Sequence, residues 1–203
     1  MVVKAPLFVN ESAVKQWVLS KKDWVAPRLA QQQLALSQYA IDPRSGVLAV
    51  NGSDYHLEQV TQVTPNDPMV CHTSQTVKVK VTARSTEQSI RRQIQSSLKS
   101  AAQTQLVART EQLASFTGLT PYSVNISNYS SKWGQCSSRG EITLNWRLIH
   151  LPSTLQDYVI IHELCHLKEM NHSKRFWALV SHYYPDYQLA KLEIKDRFPY
   201  LKW

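Results

Sequence analysis

The chain has 203 residues, 43% apolar and 19% charged, with 23 Lys+Arg against 15 Asp+Glu for a formal charge of +8. Such a length suits one domain, or one domain with a sizeable appendage, and can bury a real core; no run of about 18 apolar residues exists, which excludes a membrane-spanning helix. Three widely spaced cysteines, Cys71, Cys136 and Cys165, fit reduced thiols rather than a disulfide framework, and MVVKAPLFVNESAVKQW lacks a signal peptide's apolar core, so the expected location is cytoplasmic.

In chain order, Asn10 is an N-cap for a helix beginning ESAVKQWVLSKKDW. Pro27 is expected to open a second helix, PRLAQQQLALSQY. The strand-like pieces VLAV (47–50), YHLEQV (55–60) and TVKVKVT (76–82) follow, separated by the turn chemistry of DPRSG, NGSD and TPNDP, and predict a small antiparallel meander. A long helix starts at Ser85, with Gln88 completing a capping box, and runs to Phe116 before Gly118 stops it. Two strands, SVNISNYS (123–130) and EITLNWRL (141–148), flank the turn-rich SKWGQCSSRG. Pro152 and Ser153 introduce TLQDYVIIHELCHLKEM; SKRFWALVSHYY and a last helix to about Arg197 complete an α+β outline. The division expected is a mixed helix and strand part over 1–84 and a catalytic part over 85–203.

The informative stretch is HELCHLKEMNHS (162–173). His162 and His166 are four residues apart, about 40° of rotation and 6 Å of rise on a helix, so both imidazoles face one point. Zinc takes neutral imidazole nitrogens in that arrangement and leaves tetrahedral corners for another ligand and a water. Glu163, next to the first histidine, can take a proton from the attacking water and return it to the leaving amine, which is the mechanism behind the H-E-x-x-H spacing. The apolar surroundings, VIIHELCHL, argue the same way, since burying two histidines and a glutamate there needs compensation.

The third ligand requires a break in the helix. On a continuous helix His172 would be rotated by about 280° from His162 and displaced by about 15 Å. The helix is therefore expected to end near Lys168–Met170, with Asn171 making the turn through its tolerance of left-handed backbone. HExxHxxxxxH has the spacing of the metzincin signature, but Glu169 stands where that signature has glycine, and no later methionine supplies a Met-turn. Glu169 and Glu193 compete with His172 as third ligand, and His182 is a remote alternative.

SKWGQCSSRGEITLNWRLIHLP and DYVIIHELCHLKEMNHSKRFW together resemble the YgjP-like metal-dependent hydrolases, relatives of zinc metallopeptidases and more distantly of the SprT/Spartan and WLM proteases. The resemblance covers about residues 125–200, with a weaker echo in VVKAPLFVNESAVKQWVLSKKDWV. It implies one zinc per chain on His162, His166 and His172, with Glu163 as general base and acid. It also implies a zincin-like core in which the active-site helix packs beside a small, mainly antiparallel sheet.

In zincin-like sites an edge strand beside that helix offers its backbone to an extended peptide, and EITLNWRL is the best candidate by position and alternation, the other reading being an interior strand with no ligand role. Trp133 is a candidate cleft wall, Gly134 a candidate tight turn and Cys136 a structural or incidental thiol, while Cys165 reads as a small core residue. Phe176, Trp177, Val180, Tyr183 and Tyr184 sit at helical spacing and read as core, with a tyrosine as a candidate oxyanion donor. Lys78, Lys80, Arg84, Arg91, Arg92, Lys99 and Arg109 make residues 78–109 basic, the usual signature of a solvated face and also of a nucleic-acid partner. The leading expectation is a zinc metallopeptidase acting on a peptide or protein. The alternatives are a zinc amidohydrolase with a non-peptide substrate and a zinc-stabilised nucleic-acid-binding protein with little catalysis.

Overall fold

The computed structural model describes Pro6 and residues 9–39, 46–62 and 69–197; the expected turns DPRSG and TPNDP lie almost wholly outside them. Packing divides the chain into two units, Met1–Tyr39 and Ala40–Trp203. Among the described residues the fold is α+β, with six α-helices and two small mixed sheets, and no helix is long and apolar enough to cross a membrane.

The first unit holds α1 (Glu11–Ser20) and α2 (Lys22–Tyr39). Asn10 caps α1, its side chain accepting the Ser12 N–H at 2.9 Å. Pro27 does not open α2 but lies inside it. The helix has already begun at Lys22 and continues to Tyr39, so the proline sits past the first turn and forgoes one intrahelical hydrogen bond.

In the second unit β1 (Val47–Val50), β2 (Ser53–Val60), β3 (Val70–Cys71) and β4 (Thr76–Lys80) form one sheet in the order β1-β2-β4-β3. The expected meander is not what forms, because β2 and β4 run parallel. The chain places the two-residue β3 at the far edge, and β4 returns antiparallel between β3 and β2. A two-residue strand shows no alternation, so its presence is invisible to pattern reading.

Helix α3 (Glu87–Thr117) is the spine of this unit. Its N-cap is Thr86, one residue later than expected. Thr86 Oγ1 accepts the Ser89 N–H and Ser89 Oγ accepts the Thr86 N–H, while Ser85 Oγ is used by the Thr82 N–H instead. Gly118 ends the helix at φ 67°, in the left-handed region. Ile94, Leu98, Ala102 and Leu106 recur every fourth residue, are fully buried and face β4 and the 3-10 turn Trp146–His150. Each large aliphatic buried this way contributes about 1.5–3 kcal/mol.

The second sheet, β5 (Ser123–Ser127), β6 (Gly134–Cys136) and β7 (Glu141–Asn145), has the order β5-β7-β6. It is mixed: β5 lies parallel to β7 and β6 antiparallel. Helix α4 (Ser153–Cys165) packs against β6 and β7, and α5 (Lys174–Tyr183) and α6 (Tyr187–Asp196) pack on α4. An amide cluster joins the sheets' supports: Asn51 and Gln105 exchange hydrogen bonds at 3.1 and 2.6 Å, and Gln156 donates to Asn51 Oδ1 at 2.9 Å.

Candidate metal centre

Helix α4 is apolar nearly all round, and Leu155, Val159, Ile160, Ile161, Leu164 and Cys165 are buried. A helix so surrounded holds its few polar side chains in fixed positions. It ends at Cys165, earlier than expected, and one tighter turn follows in which the Leu167 and Lys168 N–H groups reach the Leu164 and Cys165 carbonyls at 3.0 and 3.1 Å. The chain then reverses without left-handed backbone at Asn171, whose carbonyl instead accepts the Ser173 N–H at 2.7 Å across a three-residue turn. Ser173 caps α5.

This reversal brings His172 back to the helix. One ring nitrogen from each of His162, His166 and His172 lies within 4.8 Å of the other two, and the Nε2 atoms of His162 and His172 are 3.0 Å apart. Glu169, Glu193 and His182 are not in this cluster: Glu169 pairs with Arg175 at 2.8 Å and Glu193 with Arg197 at 3.1 Å. His166 Nδ1 donates to the Glu169 carbonyl at 3.0 Å. Since a carbonyl only accepts, this leaves Nε2 as the bare nitrogen facing the cluster.

Phe176, read from sequence as core, is buried but also floors the site. Its ring stacks on His166 at 4.5 Å and meets His162 and His172 edge-on at 4.9 and 4.8 Å. Trp177 stacks on His172 at 5.5 Å. Tyr183 and Tyr184 direct their hydroxyls to the carbonyls of Thr117 and Thr154, so neither hydroxyl faces the cluster as an oxyanion donor.

Burial disfavours the charged form of all three imidazoles. Burial, and then His166, His172 and Lys191, push His162 down to about 3; burial lowers His166 and His172 as well. Neutral nitrogens converging on one point are the donor set a divalent cation of intermediate softness takes, and zinc is the commonest such guest of imidazole. The residues present therefore fit a metal. Glu163 is buried at the same place, and burial raises its carboxyl to about 8 against the opposing pull of Lys132.

A cleft of about 280 Å³ opens over the histidines, its opposite side made by Lys132, Gly134, Gln135 and Cys136. Of the two readings of 141–148, the interior strand is the one found. Its β part stops at Asn145, and β7 is the central strand, paired on both sides. The edge belongs to β6. Trp133 and Ser137 bond to Asn145 and Glu141 at 2.8 and 2.9 Å. By antiparallel alternation the backbone groups of Gly134 and Cys136 then point away from β7. Lys132 is held at the cleft by Gln135 and over the Tyr129 ring. A three-residue strand inside a turn-rich stretch gave no periodic signal, and Lys132 carried none.

Cys136 is half-buried, and burial with the Glu163 carboxylate pushes its thiol up to about 11. Cys165 is fully buried core, as expected. Three members of the basic stretch have local partners: Arg109 forms a two-pronged pair with Asp157 at 2.7 Å, Arg91 approaches Glu87 at 3.6 Å, and Lys99 lies over the Trp146 ring.

A family model described as "YgjP-like, metallopeptidase domain" matches residues 1–197. No curated protein matches the chain. Among solved structures, the chain is similar to the metallopeptidase zymogen abylysin of Pyrococcus abyssi, with 26% identity, a TM-score of 0.40, and coverage of 44% of this chain and 90% of that one.

Proposed function

Since the chain belongs to the YgjP-like family of metallopeptidase domains, and carries a cluster of three histidines that fits a metal ion, we propose that it is a zinc peptidase. In this reading His162, His166 and His172 hold one zinc, Glu163 is the general base and acid, and the substrate is a peptide or protein. The observation that carries the reading is the convergence of three imidazoles beside one buried carboxylate in an open cleft.

Zinc, when bound, supplies Lewis acidity that polarises the scissile carbonyl and acidifies a water. The chain's own residues do the rest. Glu163 takes the proton of the attacking water on a carboxylate oxygen and delivers it to the leaving nitrogen. The outward N–H and C=O groups of Gly134 and Cys136 suit an extended substrate, which would add a strand to β6 and gain main-chain hydrogen bonds with little side-chain preference. Lys132, beside Glu163, adds positive charge where the carbonyl oxygen becomes negative. The three free thiols suit a reducing cytoplasm.

The test is elemental analysis of purified protein together with hydrolysis of fluorescein-labelled casein. Wild type is expected to carry about one zinc and to cleave. Glu163→Gln is expected to keep the zinc and to lose at least a hundredfold in rate. A wild-type chain that binds no zinc after reconstitution would sink the proposal.

A further inference from the structure

Beyond the metal cleft, on the far side of Trp177, lies a second concavity. Trp177 stacks on His172 at 5.5 Å and on Tyr187 at 5.3 Å, with nearly parallel rings in both pairs. The indole therefore belongs both to the surroundings of the histidine cluster and to a groove of about 730 Å³ lined by Trp177, Tyr187, Gln188, Lys191, Leu192 and Lys195.

The groove is cationic. Lys191 and Lys195 stand one helical turn apart on α6, so both ammonium groups serve the same face. Lys191 Nζ lies 4.2 Å over the Trp177 ring, and its charge is felt at His162 and His172, lowering both. None of the lining residues is acidic. Of the acids on α6 and at its N-cap, Glu193 pairs with Arg197 at 3.1 Å, and Asp186 and Asp196 do not line the groove; Asp157 on α4 pairs with Arg109. Two amines above an aromatic floor, with Leu192 exposed at the wall, present an apolar surface with a positive rim. A peptide residue whose methylenes lie on the rings and whose end is anionic complements that surface.

We infer that this groove is a substrate subsite selecting an acidic side chain, glutamate or aspartate, with Lys191 and Lys195 as the specificity-determining residues and Trp177, which lines the groove and stacks on His172, as its link to the histidine cluster. The inference rests on the peptidase reading of the neighbouring cleft. It adds side-chain selectivity to a strand edge that by itself binds main chain.

The experiment uses the full-length Glu163→Gln protein, so that binding is read without turnover. Fluorescein-labelled, C-terminally amidated alanine decapeptides carry a single Glu walked through the sequence, each beside its Gln match, and affinity is followed by anisotropy. At least one register should favour Glu by about three- to fivefold, the range of a partly exposed charge pair. Adding Lys191→Gln should bring that ratio close to one. Adding Lys191→Glu with Lys195→Glu should invert it toward Lys-containing peptides, and Arg92→Gln, far along α3, should preserve it. Equal binding of Glu and Gln peptides at every register, a preference surviving the double charge reversal, or one appearing only with a free C-terminal carboxylate would each overturn the assignment. Charge-selective binding by a wild-type chain that cleaves nothing would refute the peptidase and leave the subsite standing; cleavage indifferent to acidic residues would refute the subsite alone.

Discussion

A Cβ placed on Gly134 would stand 2.6 Å from Oε1 and 2.8 Å from Cγ of Glu163. The edge strand and the carboxylate are therefore fitted to one another, and glycine is what lets them meet. Gly134→Ala must displace a buried side chain by several tenths of an ångström or more. A misplacement of about 1 Å near reacting groups costs about a hundredfold, so kcat/KM on casein should fall by about ten- to a hundredfold while zinc content stays at the wild-type level. Activity within twofold of wild type would show that Glu163 has freedom this packing denies it.

The geometry separates the candidate third ligands. His172→Ala should weaken zinc binding by more than a hundredfold, beyond the loss typical of an outer-shell change, and His166→Ala should do the same. Glu169→Ala and Glu193→Ala should each retain about one zinc, since their carboxylates are occupied by Arg175 and Arg197. Metal titration monitored with a competing chelator distinguishes these outcomes.

His150 gives the fold a dependence on acid independent of the metal. Its Nδ1 donates to the Ala49 carbonyl at 2.7 Å, and burial, with a smaller contribution from Arg147, pushes it down to about 4. In the unfolded chain it titrates near 6.5. Between about pH 6.5 and 4 the unfolded state binds the extra proton, so stability present at neutral pH is lost as pH falls through that window. The loss should be about 2–3 kcal/mol by pH 4.5. Urea unfolding of metal-free protein at pH 7 and 4.5 should show a smaller pH-dependent loss in His150→Gln than in wild type.

Arg109 and Asp157 tie α3 to α4 through two parallel hydrogen bonds of 2.7 Å. With the arginine side chain 41% exposed and the aspartate 19%, solvent screens the pair. A double-mutant cycle should give a coupling of about 1 kcal/mol or less. Arg109→Lys should lose most of it, because an ammonium cannot reproduce the planar fork. A coupling above about 2 kcal/mol would mean the pair is better shielded than its exposure implies.

The site was legible in the chain wherever one turn of helix decides the geometry. The four-residue spacing of His162 and His166, and the need for a reversal before His172, follow from helical pitch alone, and the structure brings those side chains together. Phe176 was legible as buried but not as the floor beneath three imidazoles, because burial says nothing of which face a ring turns to its neighbours. Edge or interior was not legible for EITLNWRL, because strand identity is local whereas edge or centre is a property of the whole sheet. The alternation of EITLNWRL reports which face of the sheet is buried and says nothing of whether both of its edges are paired. Gly134–Cys136 is too short to alternate, and the parallel pairing of β2 with β4 depends on a two-residue strand between turns. Pro27 suggests a boundary that does not exist, because the residues before it are already helical.

The bond from His166 Nδ1 to the Glu169 carbonyl makes the second histidine a clasp on the loop that delivers the third. The parts of the centre are consequently not assembled independently. Whatever fixes the ring of His166 also fixes the path of the chain toward His172, and a cation seated on both should stiffen residues 166–173 as a single piece. Hydrogen exchange of that loop should then slow on metal loading, and should stay fast in His166→Ala even where His172 is intact.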